Sequence, residues 1–211
     1  MKVGFSMLDQ ERYKRLRSFL RQVNRQRRRQ AQQIDILCRD LIAAQRRFIQ
    51  DLDCIGFAAS LYRSMLGVTD PGRLVDLAAA AITEHISGIA MLFYVRSTGM
   101  FKQYAAGTAQ SDEYLRLLES VNTELAEAIC RANKVCGLED LLMLGMQASP
   151  ALTARTSTVC VPISIDGRCF GVVLVCGPAT LRLTAFQMQK LNAVAAGLAS
   201  AIQACQQVHS E

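Results

Sequence analysis

Eight cysteines and two histidines make up most of the chain's nucleophilic and metal-ligating capacity. A thiolate can attack an oxidised or electrophilic centre, and a thiol redox cycle needs a nucleophilic cysteine plus a resolving one. A structural zinc site needs clustered ligands. Here no Cys-x-x-Cys pair occurs and histidine is scarce, so no metal site is expected. His85 falls alone on an expected helix and His209 in a terminal tail, so neither points to general acid–base work. No phosphate-cradling G-x-x-x-x-G-K-[ST] or G-x-G-x-x-G stretch occurs. Several cysteines fall at core positions of expected strands and helices. There they read as small hydrophobes kept reduced. No catalytic set emerges, and the residues name no cofactor.

The element that must position any site runs from Ser157 to Gly177, STVCVPISIDGRCFGVVLVCG. Two β-branched runs flank Asp166-Gly167, a strong hairpin signal with a type I′ turn. That turn pairs Ile165 with Arg168, Ile163 with Phe170, Val161 with Val172 and Val159 with Leu174. These form one large apolar face. Cys160, Pro162, Ser164, Cys169, Gly171, Val173 and Val175 form the smaller opposite face. The hairpin is expected at the centre of the sheet. Downstream, Thr184 and Gln187 form a capping box that opens a helix with its stripe at Leu191, Val194, Leu198, Ala201, Cys205 and Val208.

The net charge of +6 is concentrated at one end. Residues 1–53 hold 13 Lys and Arg against 6 Asp and Glu, and the remaining 158 residues are close to neutral. From about Asp9 to Leu66 the chain lacks Pro and is rich in helix formers. Leu16, Leu20, Val23, Ile34, Leu37, Leu41, Ala44, Phe48, Ile55, Ala58, Tyr62 and Met65 recur at steps of four and three. That is a heptad seam, interrupted at Arg27, Gln30 and Asp51. Such a seam needs a partner, and a second copy is the economical one. The basic stretch Arg12–Arg29 invites comparison with a groove-reading basic helix. The seam runs straight through it, so nucleic acid is not the expected partner. No apolar run reaches the roughly 18 residues of a membrane span. With no leader-like segment at the start, the expected location is cytoplasmic.

Between these parts, Asp70-Pro71 opens a helix closed by Gly88. Gly88–Val95 reads as a buried strand, Ser97-Thr98-Gly99 as a turn, and Phe101–Ala106 as the returning strand. Ser111-Asp112-Glu113 caps one continuous helix running to about Val135, which Gly137 ends. Leu141–Met146 is an apolar run read as an edge strand.

This order, with Val161-Pro162-Ile163, Asp166-Gly167 and Gly171–Val175 as its most specific part, resembles a GAF domain over Phe57–Val208. The resemblance implies an α+β fold: a PAS-related antiparallel sheet with helices on both faces, preceded by a long N-terminal helix. It divides the chain into a basic coiled-coil helix, 1–56, and a GAF-like domain, 57–211. Two branch-specific ligands do not carry over. No Cys-His dipeptide for bilin attachment is present, and Asn133-Lys134-Val135-Cys136 begins a cyclic-nucleotide motif but lacks its Phe and Asp. The free methionine-(R)-sulfoxide reductases use cysteines in a lone GAF domain. Cys130 and Cys136 lie in a comparable region, but the chain has no Trp for that family's substrate cage.

What remains is a small-molecule cavity under the smaller hairpin face. Its candidate lining is Tyr94, Phe101, Tyr104, Arg155, Cys160, Ser164, Cys169 and Val173, and the competing expectation is that side chains fill it. The function implied is a non-enzymatic regulatory or sensory module of signal transduction, with a signalling protein as a further partner. Its homodimer is expected to use Ile34, Leu37, Leu41, Phe48 and Ile55 of the first helix together with Leu191, Val194 and Leu198 of the last, in a parallel four-helix bundle. The alternatives are a thiol reductase and a nucleic-acid-associated coiled-coil protein.

Overall fold

A computed structural model describes residues 7–97, 100–107 and 112–208. The expected turn residues Thr98 and Gly99, the Ser111 cap and His209 lie outside them. The chain divides into two compact units, Met1–Asp51 and Leu52–Glu211.

Helix α1, Met7–Met65, is continuous for 59 residues. In the first unit its seam side chains are bare, with Ile34, Leu37, Leu41 and Phe48 each more than half exposed. Ile36, Ile42 and Ile49, off the seam, are exposed as well.

In the second unit, α1 contributes its last turns, Leu52–Met65, and ends before Gly67, whose φ of +77° suits glycine. Helix α2, Pro71–Thr83, starts where the Asp70 carboxylate accepts the Arg73 N–H. Strands β1, Ala90–Ser97, and β2, Met100–Gly107, pair antiparallel. Where one helix was expected, two occur: α3, Asp112–Glu119, and α4, Thr123–Ala132. Asn122 divides them by accepting the Leu125 N–H at 2.8 Å. The apolar stripe continues across the break, which is why periodicity alone reads one helix. Asn133, at φ +45°, ends α4 before Gly137 is reached. Strand β3, Cys136–Gly137, is the edge strand, and the run expected to be that edge is instead α5, Leu138–Met143. One turn of helix follows, α6, Pro150–Thr153.

The hairpin is β4, Thr156–Ile165, and β5, Arg168–Pro178. Asp166 and Gly167 both have positive φ, as a type I′ turn requires. The sheet order is β2-β1-β5-β4-β3, so β5 is central. Helix α7, Ala185–Val208, closes the chain, and its capping box is formed: Thr184 and Gln187 exchange bonds of 2.9 and 3.2 Å. The architecture is therefore an antiparallel sheet with helices on both faces and a long helix before it, as expected.

One register expectation fails. Ile165 pairs with Arg168, but Ile163 pairs with Gly171, Val161 with Val173 and Val159 with Val175. A β-bulge inserts Phe170 and exchanges the faces of β5 beyond it. Val173 and Val175 thus join Val161, Ile163 and Phe170 against α2 and α7, while Val172 and Leu174 join Cys160 on the other face. A Cβ on Gly171 would sit 2.1 Å from the Tyr94 carbonyl oxygen, so only glycine permits that approach. Pro162 lies on β4 beyond its two-residue pairing with β3, where a missing N–H costs no ladder bond.

Candidate functional site

The cavity expected between sheet and helices is filled. Leu117, Leu118, Val121, Leu125 and Ile129 of the α3–α4 region pack directly onto Leu92, Tyr94, Val172 and Leu174. Tyr94 is buried among them and its hydroxyl donates to the Val121 carbonyl at 2.5 Å, satisfying an acceptor that the break before Asn122 leaves free. Burial raises its pKa. Phe101 packs edge-on against the Tyr94 ring.

The remaining candidates scatter. Val173 is buried on the opposite face, moved there by the bulge, so it cannot line a pocket with Cys160. Cys160 is wholly buried opposite Cys136, and burial pushes its thiol well up. Tyr104 lies on the α2 side, with its pKa raised by burial and then by Asp70. Arg155 is exposed and bridges to Glu113 at 3.3 Å. Ser164 is half-buried beside the bulge. On α7, Leu191, Val194 and Leu198 lie in the domain's own core at no more than 1% exposure, so they do not face a partner.

Tyr104 lines a shallow cavity of about 220 Å³ beside Asp70, and Cys169 lies in a larger open cleft. That cleft, about 470 Å³, is built where the ends of four elements meet: Arg96 of β1, Glu127, Cys130 and Arg131 of α4, Arg168, Cys169 and Phe170 at the start of β5, and Gln206 of α7. Gln206 Nε2 donates to the Arg96 carbonyl at 3.1 Å and ties α7 to β1. Arg96 lies over the Phe101 ring at 4.9 Å, and its Nε is buried with no hydrogen-bond partner among the described residues. The Sγ atoms of Cys130 and Cys169 are 2.7 Å apart. Cys169 is held down to about 7, first by the Cys130 thiol donating to it and then, against burial, by the Gly171 backbone and Arg96. Cys130 is pushed far up by the same contact and by burial. Arginines and thiols together suit small anionic or thiol-reactive molecules. Among the described residues no cluster of three or more Cys, His, Asp or Glu could hold a metal.

Sequence reading named Cys130 and Cys169 separately and missed their meeting, along with the part that Glu127, Arg131 and Gln206 play in the cleft. The partners are 39 residues apart, and no local spacing encodes contact between α4 and β5.

An apolar groove of about 290 Å³ lies elsewhere in the same unit, where Tyr62, Leu66 and Val68 face Gly197, Ala201 and Ala204 of α7. No described helix is long and apolar enough to cross a membrane.

No family model and no curated protein matches the sequence. Solved structures do match the fold. The chain is similar to a GAF domain/HD domain protein from Geobacter sulfurreducens (12% identity, TM-score 0.52, covering 68% of this chain and 98% of that one). It is similar to the GAF domain of an Acinetobacter phosphoenolpyruvate-protein phosphotransferase (12%, 0.52, 73% and 95%). It also resembles residues 122 to 287 of a methyl-accepting chemotaxis protein (16%, 0.53, 72% and 99%). With its five-stranded sheet order and helices on both faces, this chain has a GAF-like fold.

Proposed function

We propose that the chain is a non-enzymatic GAF-type regulatory module of intracellular signal transduction, assembled as a homodimer through α1. The observation that carries this reading is the bare heptad stripe. Leu37, Leu41 and Phe48 are 66, 69 and 63% exposed on a helix that runs unbroken into the GAF-like fold. A stripe of that spacing is complementary to a copy of itself, and burying each Leu or Phe contributes about 1.5–3 kcal/mol. The supporting context is the company the fold keeps, which includes part of a methyl-accepting chemotaxis protein. A small molecule held in the Arg96–Arg168 cleft would act on the end of α7 through Gln206. A downstream signalling protein is the partner such a module serves.

The buried or scattered positions of the other candidates favour a regulatory role over catalysis, and the seam through the basic arm disfavours nucleic-acid reading. Native mass spectrometry of protein purified from cells tests the proposal. The expected species is two chains, with a retained small molecule that Arg96→Ala releases. A single chain carrying nothing contradicts it.

A further inference from the structure

We propose that Cys130 and Cys169 form a reversible redox pair, in which a hydroperoxide oxidises Cys169 and Cys130 then closes a disulfide that ties α4 to β5. This stands apart from the regulatory reading, which survives its failure.

The geometry comes first. The two Sγ atoms lie 2.7 Å apart, closer than an ordinary non-bonded sulfur contact and longer than a disulfide bond of about 2.05 Å. They come from different elements, α4 and the first residues of β5, so a bond between them clamps a helix onto the sheet. Both thiols are half-buried at the wall of the cleft, reachable by a small solute. The Gly171 carbonyl lies 3.1 Å from the Cys169 sulfur and 3.6 Å from the Cys130 sulfur, where it can accept from either thiol in its protonated form. Gly171 is the glycine that the bulge requires, so the feature that broke the expected register also sets the thiol pair.

The surroundings assign the roles. Arg96, Arg131 and Arg168 line the cleft against the single acid Glu127, a setting that favours a thiolate. Cys169, held down to about 7, carries on the order of tenfold more thiolate at neutral pH than an ordinary cysteine. Cys130 keeps its proton and is the resolving thiol. Cys136, Cys160 and Cys176 are buried with pKa values raised by that burial, which makes them inert.

In the first step the Cys169 thiolate attacks the terminal oxygen of the hydroperoxide. An S–O bond forms, the O–O bond breaks, and the alkoxide or hydroxide leaves and takes a proton from water. Oxidation discharges Cys169 and so removes the contact that held Cys130 protonated. Cys130 then attacks the sulfenic sulfur: an S–S bond forms, the S–O bond breaks, and the departing hydroxide takes the Cys130 proton to give water. The thiols lose two electrons and the peroxide gains them.

The test uses the full chain with Cys38→Ser and Cys54→Ser, which removes the two thiols on α1. Reduced protein is exposed to slight excess hydrogen peroxide, alkylated and mapped by mass spectrometry. The expected product is a Cys130–Cys169 disulfide that dithiothreitol reverses, formed at a rate that rises with pH through about 7. With Cys130→Ser, Cys169 accumulates as a sulfenic acid trapped by dimedone. With Cys169→Ser, Cys130 remains a thiol. Far-ultraviolet circular dichroism checks the fold of each variant, and the map of the parent protein decides the matter if a variant unfolds. Cys130 and Cys169 both recovered as thiols, or a bond joining other cysteines such as Cys136 and Cys160, overturns the proposal.

Discussion

Two helices carry the same four-three apolar spacing and meet opposite fates. On α7, Leu191, Val194 and Leu198 are at most 1% exposed, set against α2 and the hairpin. On α1, Leu37, Leu41 and Phe48 are more than 60% exposed. Spacing says that a helix has an apolar face but not what covers it. The α7 stripe follows a hairpin by a short loop, and the sheet is at hand to bury it. The seam of α1 before Asp51 belongs to a unit whose described residues form no strand. Both stripes were expected to meet a partner; the domain's own core covers the α7 stripe, and the α1 stripe is bare.

Substitutions sharpen that contrast. The largest expected effect is at Phe170, 2% exposed on the face that α7 covers. Phe170→Ala is expected to cost about 3–5 kcal/mol in denaturant unfolding, and a cost under about 1 kcal/mol would place the ring outside the core. Leu198→Ala should follow at about 2–5 kcal/mol without weakening self-association. Its counterpart Leu41→Ala should change domain unfolding by no more than about 0.5 kcal/mol. Equal losses from the two leucines would erase the distinction.

A smaller effect is expected at Lys190. Its ammonium bonds Asp53 at 2.9 Å and lies over the Phe57 and Phe186 rings, joining α7 to the last turns of α1 within the second unit. Asp53 is more than half exposed, so solvent screens the pair. Lys190→Met, which keeps the packed stem, should cost no more than about 1 kcal/mol by thermal melting. A loss of several kcal/mol would make this junction a principal support of the domain.

The smallest is at Asp140. The Gly137 N–H and then Lys134 lower its pKa. A carboxylate depressed in the folded state adds stability above its unfolded pKa, and that stability is lost as pH falls through the folded value. Asp140→Asn should flatten the acid limb of a stability–pH curve, with a small loss at neutral pH that vanishes as pH falls through the folded pKa. An unaltered acid limb would show that the contact does not persist in solution.

Much of the fold was legible because local chemistry dictated it: Asp166-Gly167 set the hairpin, and Thr184 with Gln187 started α7. What escaped were features decided by partners distant in sequence. The bulge at Phe170 depends on Gly171 meeting the Tyr94 carbonyl, and a count of alternating residues carries no sign of it. The helix break at Asn122 hides under an unbroken apolar stripe, and Tyr94 caps the freed Val121 carbonyl from a strand 27 residues away. The candidate site was legible as residue types and not as a place. Faces assigned without the bulge put Val173 beside Cys160, and the cleft joins β1, α4, β5 and α7, which no window of sequence spans.

The claim that α1 keeps its stripe for a second copy is tested most directly by sedimentation equilibrium of the full chain at tens of micromolar. The expected mass is twice the 23.2 kDa of one chain. With Leu41→Lys and Phe48→Lys together, the expected mass is that of one folded chain, its melting unchanged. A wild-type chain that sediments as a monomer, or a double variant that remains a dimer, contradicts the account.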